Sequence, residues 1–268
     1  MTRSWPRHAA VVALAIAGAG IMIPQARAAE TAPQCAASAD LSRFDLPLVR
    51  LAERIAVAEP VKIVAIGSSS TSGAGASSTA ATYPSRLEVE LRARFPRLPF
   101  TVLNRGVQGE EVPQMLARFA GAVAAEQPDL VIWQVGTNAV LRGHDMGKTV
   151  EGIREGLARL KALGADAILM DLQFAPRVIE KLEAEPMVSL IAAAAKRDNV
   201  DLFRRFAVMR DWIETRHIPF QQSLAPDGLH LNDWSYGCVA KLLAGAIADA
   251  ATRMPQSAGM STAQIARH

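Results

Sequence analysis

Short apolar segments alternate with longer amphipathic ones along most of this 268-residue chain. The short segments are rich in β-branched residues and bounded by Gly, Pro, Asn or Asp, as expected of strands buried on both faces. They predict strands at Val61–Ile66, Phe100–Leu103, Leu130–Val135, Ala167–Leu172 and Val200–Phe203. The amphipathic segments predict helices at Leu46–Ala58, Ser85–Arg94, Val112–Ala125, Thr149–Leu163, Pro186–Arg197 and Trp234–Thr252. The alternation predicts one α/β domain whose parallel sheet has helices on both faces.

The first 28 residues are typical of a secretory signal peptide. Arg3 and Arg7 give a basic start, residues 9–23 are almost wholly apolar, and residues 26–28 read Ala-Arg-Ala, a small-x-small cleavage signal. The alternative is a transmembrane anchor, but a span needs about 18 or more apolar residues, and this run is shorter. We therefore expect cleavage after residue 28 and export to the periplasm or out of the cell, with no membrane span afterwards.

The charge balance argues against nucleic acid as a partner. The whole chain has 29 basic and 26 acidic residues, and cleavage would remove three arginines and no acid, leaving 26 of each. A nucleic-acid surface needs a clustered surplus of Lys and Arg, which this balance does not provide. Residues 29–252 suffice for one domain with a substantial core, and residues 253–268 predict a flexible tail.

Two cysteines, Cys35 and Cys238, would remain after cleavage. In an oxidising compartment they can form a disulfide between the mature N-terminus and the last predicted helix. The alternative is two separate buried thiols, because a free cysteine packs as a small hydrophobic residue. The sequence leaves both open, since it does not give the distance between the two Cα atoms.

Residues suited to nucleophilic catalysis lie in two distant segments. The first predicted strand runs into Gly67-Ser-Ser-Ser-Thr-Ser-Gly73, a glycine-bounded turn at the edge where open α/β sheets build their sites. Near the C-terminus the chain reads Asp227-Gly-Leu-His230. A serine hydroxyl needs a base within reach and a group that orients the base. The two segments together therefore predict a hydrolase of ester or acyl bonds.

The serine-rich turn resembles the first sequence block of the SGNH, or GDSL, hydrolase family, which reads Gly-Asp-Ser-x-Thr-x-Gly. Gly67, Ser69, Thr71 and Gly73 match this block, and Ser68 stands where the family usually has aspartate. The resemblance makes Ser69 the nucleophile. Without it, the segment could equally be a serine-rich turn with no chemical role.

The segment Asp227-x-x-His230 closely matches the last block of the same family. The resemblance makes His230 the general base and Asp227 the residue that orients its ring. The remaining histidines of the predicted mature chain, His144, His217 and His268, have no partner in a matching motif, so we expect them on the surface.

Two middle segments resemble the family's second and third blocks. In the segment from Asn104 to Gly109, the resemblance makes the backbone N–H of Gly106 an oxyanion-hole donor, together with the N–H of the nucleophile. In Gly-Thr-Asn138, it makes the Asn138 amide the side-chain donor, and Ala139 replaces the family's aspartate. Taken alone, these segments could be an ordinary strand-to-helix turn and a turn or capping asparagine.

The resemblance covers nearly all of the predicted mature chain. It implies a flavodoxin-like three-layer α/β/α sandwich with a five-stranded parallel sheet, and ester hydrolysis through an acyl-enzyme without a metal or cofactor. The expected partner is a small-molecule or glycan acyl ester, and export favours a short acyl group on a sugar. Two alternatives remain: a catalytically silent glycan-binding protein on this fold, and a flavin or phosphate binder, in which Asp227 and His230 have no role.

Overall fold

The computed structural model describes residues 1–2 and 34–253. The predicted signal peptide, apart from its first two residues, and nearly all of the predicted tail lie outside the described residues. The chain divides into two units, Met1–Pro33 and Gln34–His268, and the fold below belongs to the second. In the described part of the chain, no helix is both long enough and apolar enough to span a membrane.

Five parallel strands form one sheet in the order β2-β1-β3-β4-β5. They are β1 (Val61–Gly67), β2 (Phe100–Gly106), β3 (Leu130–Gln134), β4 (Asp166–Met170) and β5 (Asp201–Phe203). β1 and β2 pair from Val61 opposite Phe100 to Gly67 opposite Gly106. The predicted class, a flavodoxin-like α/β fold with a five-stranded parallel sheet, is confirmed, and the predicted strand ends differ from the observed ones by a few residues.

Helices flank the sheet. In chain order they are α1 (Val49–Ala56), α2 (Ser69–Ser72), α3 (Tyr83–Arg94), α4 (Val112–Ala117), α5 (Phe119–Ala122), α6 (Thr137–Arg142), α7 (Met146–Leu163), α8 (Pro176–Ile179), α9 (Ala184–Asp198), α10 (Arg205–Arg210), α11 (Phe220–Ser223) and α12 (Asp233–Thr252). Helices α1, α3 and α12 pack together as one layer, and α4, α7 and α9 as the other. The apolar strands are therefore buried between two helical layers, which explains their nearly continuous hydrophobicity.

Cys35 and Cys238 are joined by a disulfide, with their Cα atoms 4.9 Å apart. Cys238 is fully buried in α12. The bond therefore ties the beginning of the described domain to its last helix, whose apolar residues fill one side of the core.

The helix predicted at Val112–Ala125 is interrupted. α4 ends at Ala117, and the backbone of the next residue, Arg118 (φ −103°, ψ 6°), leaves the helical conformation. Its guanidinium turns back to the Glu110 carboxylate and to the carbonyl of Arg105, 2.7 Å away, which holds the residue there. Helices α2, α6, α8, α10 and α11 were not predicted either, because segments of four to six residues are too short for an amphipathic period.

The strand order fixes where a site can form. The chain leaves β1 toward β2 on one side and later enters β3 on the other side of β1. In sheets of this topology, ligands bind in the crevice outside the carboxyl ends of these two diverging strands. Ser69 follows β1 and Asn138 follows β3, so both lie at this crevice.

Candidate active site

Ser69 is the first residue of the short helix α2, immediately after β1. Gly67 permits the sharp turn, because a Cβ at that position would lie 2.2 Å from Thr71 Oγ1 and 2.9 Å from the Gln134 side chain. The first N–H groups of a helix have no acceptor within it. In the described part of the chain, the Ser69 N–H has no other acceptor either. The turn thus presents a hydroxyl and a free N–H from the same residue.

Ser69, His230 and Asp227 form a continuous hydrogen-bonded row. His230 Nε2 lies 2.8 Å from Ser69 Oγ, and His230 Nδ1 lies 2.5 Å from Asp227 Oδ2. Asp227 Oδ1 accepts the backbone N–H groups of Leu229 and His230, each at 3.0 Å, so its own loop fixes the carboxylate. Burial alone would raise the pKa of Asp227, but these hydrogen bonds and the His230 ring outweigh it and lower the pKa below its usual value. An ionised carboxylate therefore faces the imidazole at neutral pH.

Ser68, where the GDSL pattern has aspartate, is buried and bound to β3. Its backbone N–H and its hydroxyl both donate to Gln134 Oε1, at 2.9 Å each. Three residues further on, Thr71 Oγ1 lies 3.3 Å from the hydroxyl of Tyr83, whose pKa burial raises to about 12. Gln134 was not singled out from the sequence, yet it anchors the start of the turn that contains Ser69 to the central strand.

Asn138 lies in the first turn of α6 and reaches across the crevice to the segment after β2. Its Nδ2 donates to the carbonyl of Glu110 at 2.8 Å. An amide nitrogen carries two hydrogens, so one remains for another acceptor. The neighbouring Ala139, which replaces the family's aspartate, is buried in the core.

The predicted oxyanion role of Gly106 is not supported by its hydrogen bonding. The Gly106 N–H already donates to Asn104 Oδ1 at 2.9 Å. A Cβ on Gly106 would lie 2.1 Å from the Ser72 nitrogen, so glycine is required there by the close approach of α2. Gly109 directly precedes Glu110, which Asn138 contacts, and its N–H has no acceptor within the described residues. Gly109 therefore has a free N–H next to the residue that Asn138 contacts.

A buried polar cluster lies beside the turn and was missed from the sequence. It consists of Arg205, Asp171 and Gln173, none more than 1% exposed. Burial raises the pKa of Asp171 to about 7, against the opposing hydrogen bond from the Phe206 N–H and the positive charge of Arg205. The sequence did contain a signal for this cluster, because Asp171 is the one charged residue in the otherwise apolar segment predicted as the fourth strand.

The other histidines of the described part of the chain lie away from this row. His144 is exposed, and its Nδ1 lies 2.8 Å from Glu111 Oε2. His217 is exposed in a loop. His268 lies outside the described residues.

Cavity size alone does not locate the site. Two cavities of about 490 and 400 Å³ lie where β4 and β5 begin, at the opposite edge of the sheet. A cavity of about 340 Å³ borders the Asp227 loop and is lined mainly by apolar and small residues, namely Pro176, Phe220, Gln221, Leu224, Ala225, Pro226 and Gly228. Of these three cavities in the described part of the chain, the third adjoins the loop of the hydrogen-bonded row.

The chain is similar to known proteins in sequence and in fold. Thioesterase 1/protease 1/lysophospholipase L1 of Escherichia coli is 28% identical over 193 residues, which are 71% of this chain and 85% of that protein. An acetyl-xylooligosaccharide esterase mutant from Geobacillus superposes with a TM-score of 0.61 and 22% identity, covering 70% of this chain and 94% of that one. A two-domain esterase active on acetylated mannans superposes with a TM-score of 0.67 and 22% identity, covering 81% of this chain and 58% of that one. At such identities the structural matches establish the fold.

The fold and the relatives together define the class of this protein: it is an ester-hydrolysing SGNH-type hydrolase. Both the family resemblance and the predicted enzyme class are thereby confirmed. Within that class, the chain belongs to the Non-GDSL lipase-like family, whose family model matches residues 34–253. The family description agrees with the serine found at position 68 in place of the GDSL aspartate.

Proposed function

We propose that this protein is an exported serine esterase that removes short acyl groups, such as acetyl, from carbohydrate esters. The observation that carries the proposal is the hydrogen-bonded row of Ser69, His230 and Asp227. A silent glycan-binding protein or a flavin binder has no use for a serine hydroxyl within 2.8 Å of a carboxylate-paired imidazole.

The mechanism follows from the contacts between neighbouring atoms of the hydrogen-bonded row. His230 Nε2 takes the proton of Ser69 Oγ as the oxygen attacks the ester carbonyl, and Asp227 stabilises the imidazolium that forms. The imidazolium then gives its proton to the leaving alcohol, and an acyl-enzyme remains on Ser69. Water attacks this acyl group with His230 again as the base, which releases the acid and restores the serine.

Three donors are available for the negative oxygen of the tetrahedral intermediate. They are the backbone N–H of Ser69, the second amide hydrogen of Asn138 and, in place of Gly106, the backbone N–H of Gly109. Both backbone groups have no acceptor within the described residues, and the Asn138 amide contacts the residue next to Gly109. Donors already aimed at the developing charge need no reorganisation during the reaction.

The proposed substrate rests on the site's surroundings and on the relatives. The cavity beside the Asp227 loop offers the ring of Phe220 and the amide of Gln221, groups suited to the apolar face and the hydroxyls of a sugar. Two relatives are esterases of acetylated xylo-oligosaccharides and acetylated mannans. An acetylated glycan would therefore have its sugar in this cavity as the leaving group.

An acyl-chain-length series tests this function. The purified mature protein would be assayed with p-nitrophenyl esters from acetate to palmitate and with acetylated xylan and mannan. We expect the highest kcat/KM for acetyl esters, release of acetate from glycans, and fluorophosphonate labelling at Ser69. A preference for long chains would reject the substrate class. Absence of both turnover and labelling in a folded protein would favour a silent binding protein.

Export is the second part of the proposal. It is supported by the N-terminal sequence pattern and by a disulfide of the kind found in oxidising compartments. Intact-mass analysis of the exported protein, with and without reduction and thiol alkylation, should give a chain that begins at residue 29 and has no free thiol. An uncleaved chain or two alkylated cysteines would contradict it.

A further inference from the structure

Arg205 is a buried cation next to the nucleophile turn. It begins α10 and is 1% exposed. Its Nη1 donates to Ser70 Oγ at 2.9 Å, and its Nη2 donates to the backbone carbonyl of Asp171 at 2.7 Å and to Gln173 Oε1 at 2.9 Å. Burying a guanidinium is costly unless its hydrogens find acceptors. Nη1 and Nη2 of Arg205 find them on the turn after β1 and on the segment after β4, whereas its buried Nε has no partner within the described residues.

Gln173 extends these contacts to two more segments. Its Oε1 also accepts from Thr137 Oγ1 at 3.0 Å, and its Nε2 donates to the carbonyl of Leu229 at 3.5 Å. Thr137 directly precedes Asn138, and Leu229 directly precedes His230. The Arg205–Gln173 pair is therefore bonded to the immediate neighbours of three proposed catalytic groups: the nucleophile, the base and the side-chain oxyanion donor.

We propose that Arg205 and Gln173 are positioning residues that hold Ser69, His230 and Asn138 at their working separations. The inference rests on the proposed function, because it assigns these separations a catalytic use. The three groups come from the ends of different strands, and a displacement of about 1 Å can cost about 10²-fold in rate. The planar guanidinium of arginine holds several N–H donors in a fixed geometry and can bind several segments at once. The ammonium of lysine is a single nitrogen on a flexible chain and does this less well.

Two substitutions test the pair. Gln173→Met keeps the side-chain length but removes both the acceptor for Arg205 and Thr137 and the donor to Leu229. Arg205→Lys keeps the charge but replaces the fork with a single nitrogen. We expect each to lower kcat roughly 10- to 100-fold with KM little changed. The matched control is Arg204→Lys, next in the chain and half exposed, which should retain the wild-type kcat.

Active-site titration with a fluorophosphonate makes the result independent of how much protein folds. A loss of kcat per titrated Ser69 supports positioning. Wild-type kcat per titrated site in Gln173→Met and Arg205→Lys, with only fewer titratable sites or a lower Tm, would mean structural support alone and would overturn the inference. Failure of the proposed function is a different result, namely no turnover and no labelling of the wild-type enzyme.

Discussion

The amino and carboxyl edges of the sheet differ in how their polar groups are hydrogen-bonded. At the amino edge, Asp129, Asp166 and Asp201 stand just before or at the first residue of a strand, and each accepts backbone N–H groups from a distant segment. The donors are Lys62 for the first, Leu51 for the second, and Asp45 and Leu46 for the third. Asp166 and Asp201 thus fasten the chain within and before α1 to the sheet, and Asp129 fastens β1 to the start of β3.

At the carboxyl edge, hydrogen-bond donors are left open instead. Within the described residues, the N–H groups of Ser69 and Gly109 have no acceptor, and neither does the buried Nε of Arg205. The one carboxylate of the hydrogen-bonded row, Asp227, faces His230. An edge with spare donors can receive the negative oxygen of an acyl-transfer intermediate, and an edge with satisfied carboxylates cannot. Unused donors therefore distinguish the two edges better than acidic residues or cavity volume do.

The largest expected effect comes from removing the proposed nucleophile. Ser69→Ala should lower kcat by roughly 10⁴- to 10⁶-fold, because the residual rate would come from binding and oxyanion stabilisation alone. The thermal midpoint should hardly change, since Ser69 Oγ bonds only to His230. Esterase assays and thermal melts of the same preparation check both. Labelling by fluorophosphonate at Ser68 or Ser70 instead would reject the assignment.

The next effect concerns the proposed side-chain oxyanion donor. Asn138→Ala should lower kcat by about two to three orders of magnitude, or about 2.7–4 kcal/mol, with little change in KM. Asn199→Ala at the amino edge is the matched control. Asn199 has a left-handed backbone (φ 56°), so alanine there should cost about 1–2 kcal/mol of stability without loss of kcat. Equal kcat in both variants would remove the role of Asn138.

Much of the fold could be predicted because its signals are local. Each strand is a short apolar run, and buried parallel strands require such runs. The interruption at Arg118 could not be predicted, since it depends on contacts with Glu110 and Arg105 that form only in the folded chain. For the same reason the sequence favoured one long helix there.

The residues of the candidate site also divide into those that the sequence could predict and those that only the folded chain reveals. Ser69, Asp227 and His230 occur in short motifs with fixed spacing, and their sequence assignments remain predictions that the geometry supports. The choice between Gly106 and Gly109 depends on which N–H the Asn104 side chain occupies, and no spacing reveals that. Arg205 resembles any other arginine in the sequence, and only burial next to Ser70 sets it apart.

Asp171 at the carboxyl edge should make stability depend on pH. Burial raises its pKa to about 7, whereas an unfolded chain has about 3.9. Between these values the folded state holds a proton that the unfolded chain has lost, so the free energy of unfolding falls as pH rises, by up to about 1.4 kcal/mol per unit. Asp171→Asn cannot ionise. Its stability relative to wild type should thus rise by about 2–3 kcal/mol from pH 5 to 8 in urea unfolding. A pH-independent difference would contradict this.

The smallest effect lies at the amino edge and should leave catalysis untouched. Asp201 Oδ1 accepts the N–H groups of Asp45 and Leu46, at 2.9 and 3.2 Å. Asp201→Ala leaves both without an acceptor and should lower the free energy of unfolding by about 1–2 kcal/mol at unchanged kcat. Asp201→Asn keeps an acceptor oxygen. Burial raises the pKa of Asp201, which means that its ionised form is less favourable in the folded chain than in the unfolded chain. Asparagine does not have this cost.

Asp201→Asn should therefore lose less stability than Asp201→Ala, and this ranking is measured by urea unfolding at pH 7 with kcat determined in parallel. If Asp201→Ala lowered kcat per titrated Ser69 at a temperature where it is fully folded, the amino edge would also contribute to catalysis. The contrast between the two edges would then be wrong, because satisfied carboxylates at one edge would be coupled to the chemistry at the other.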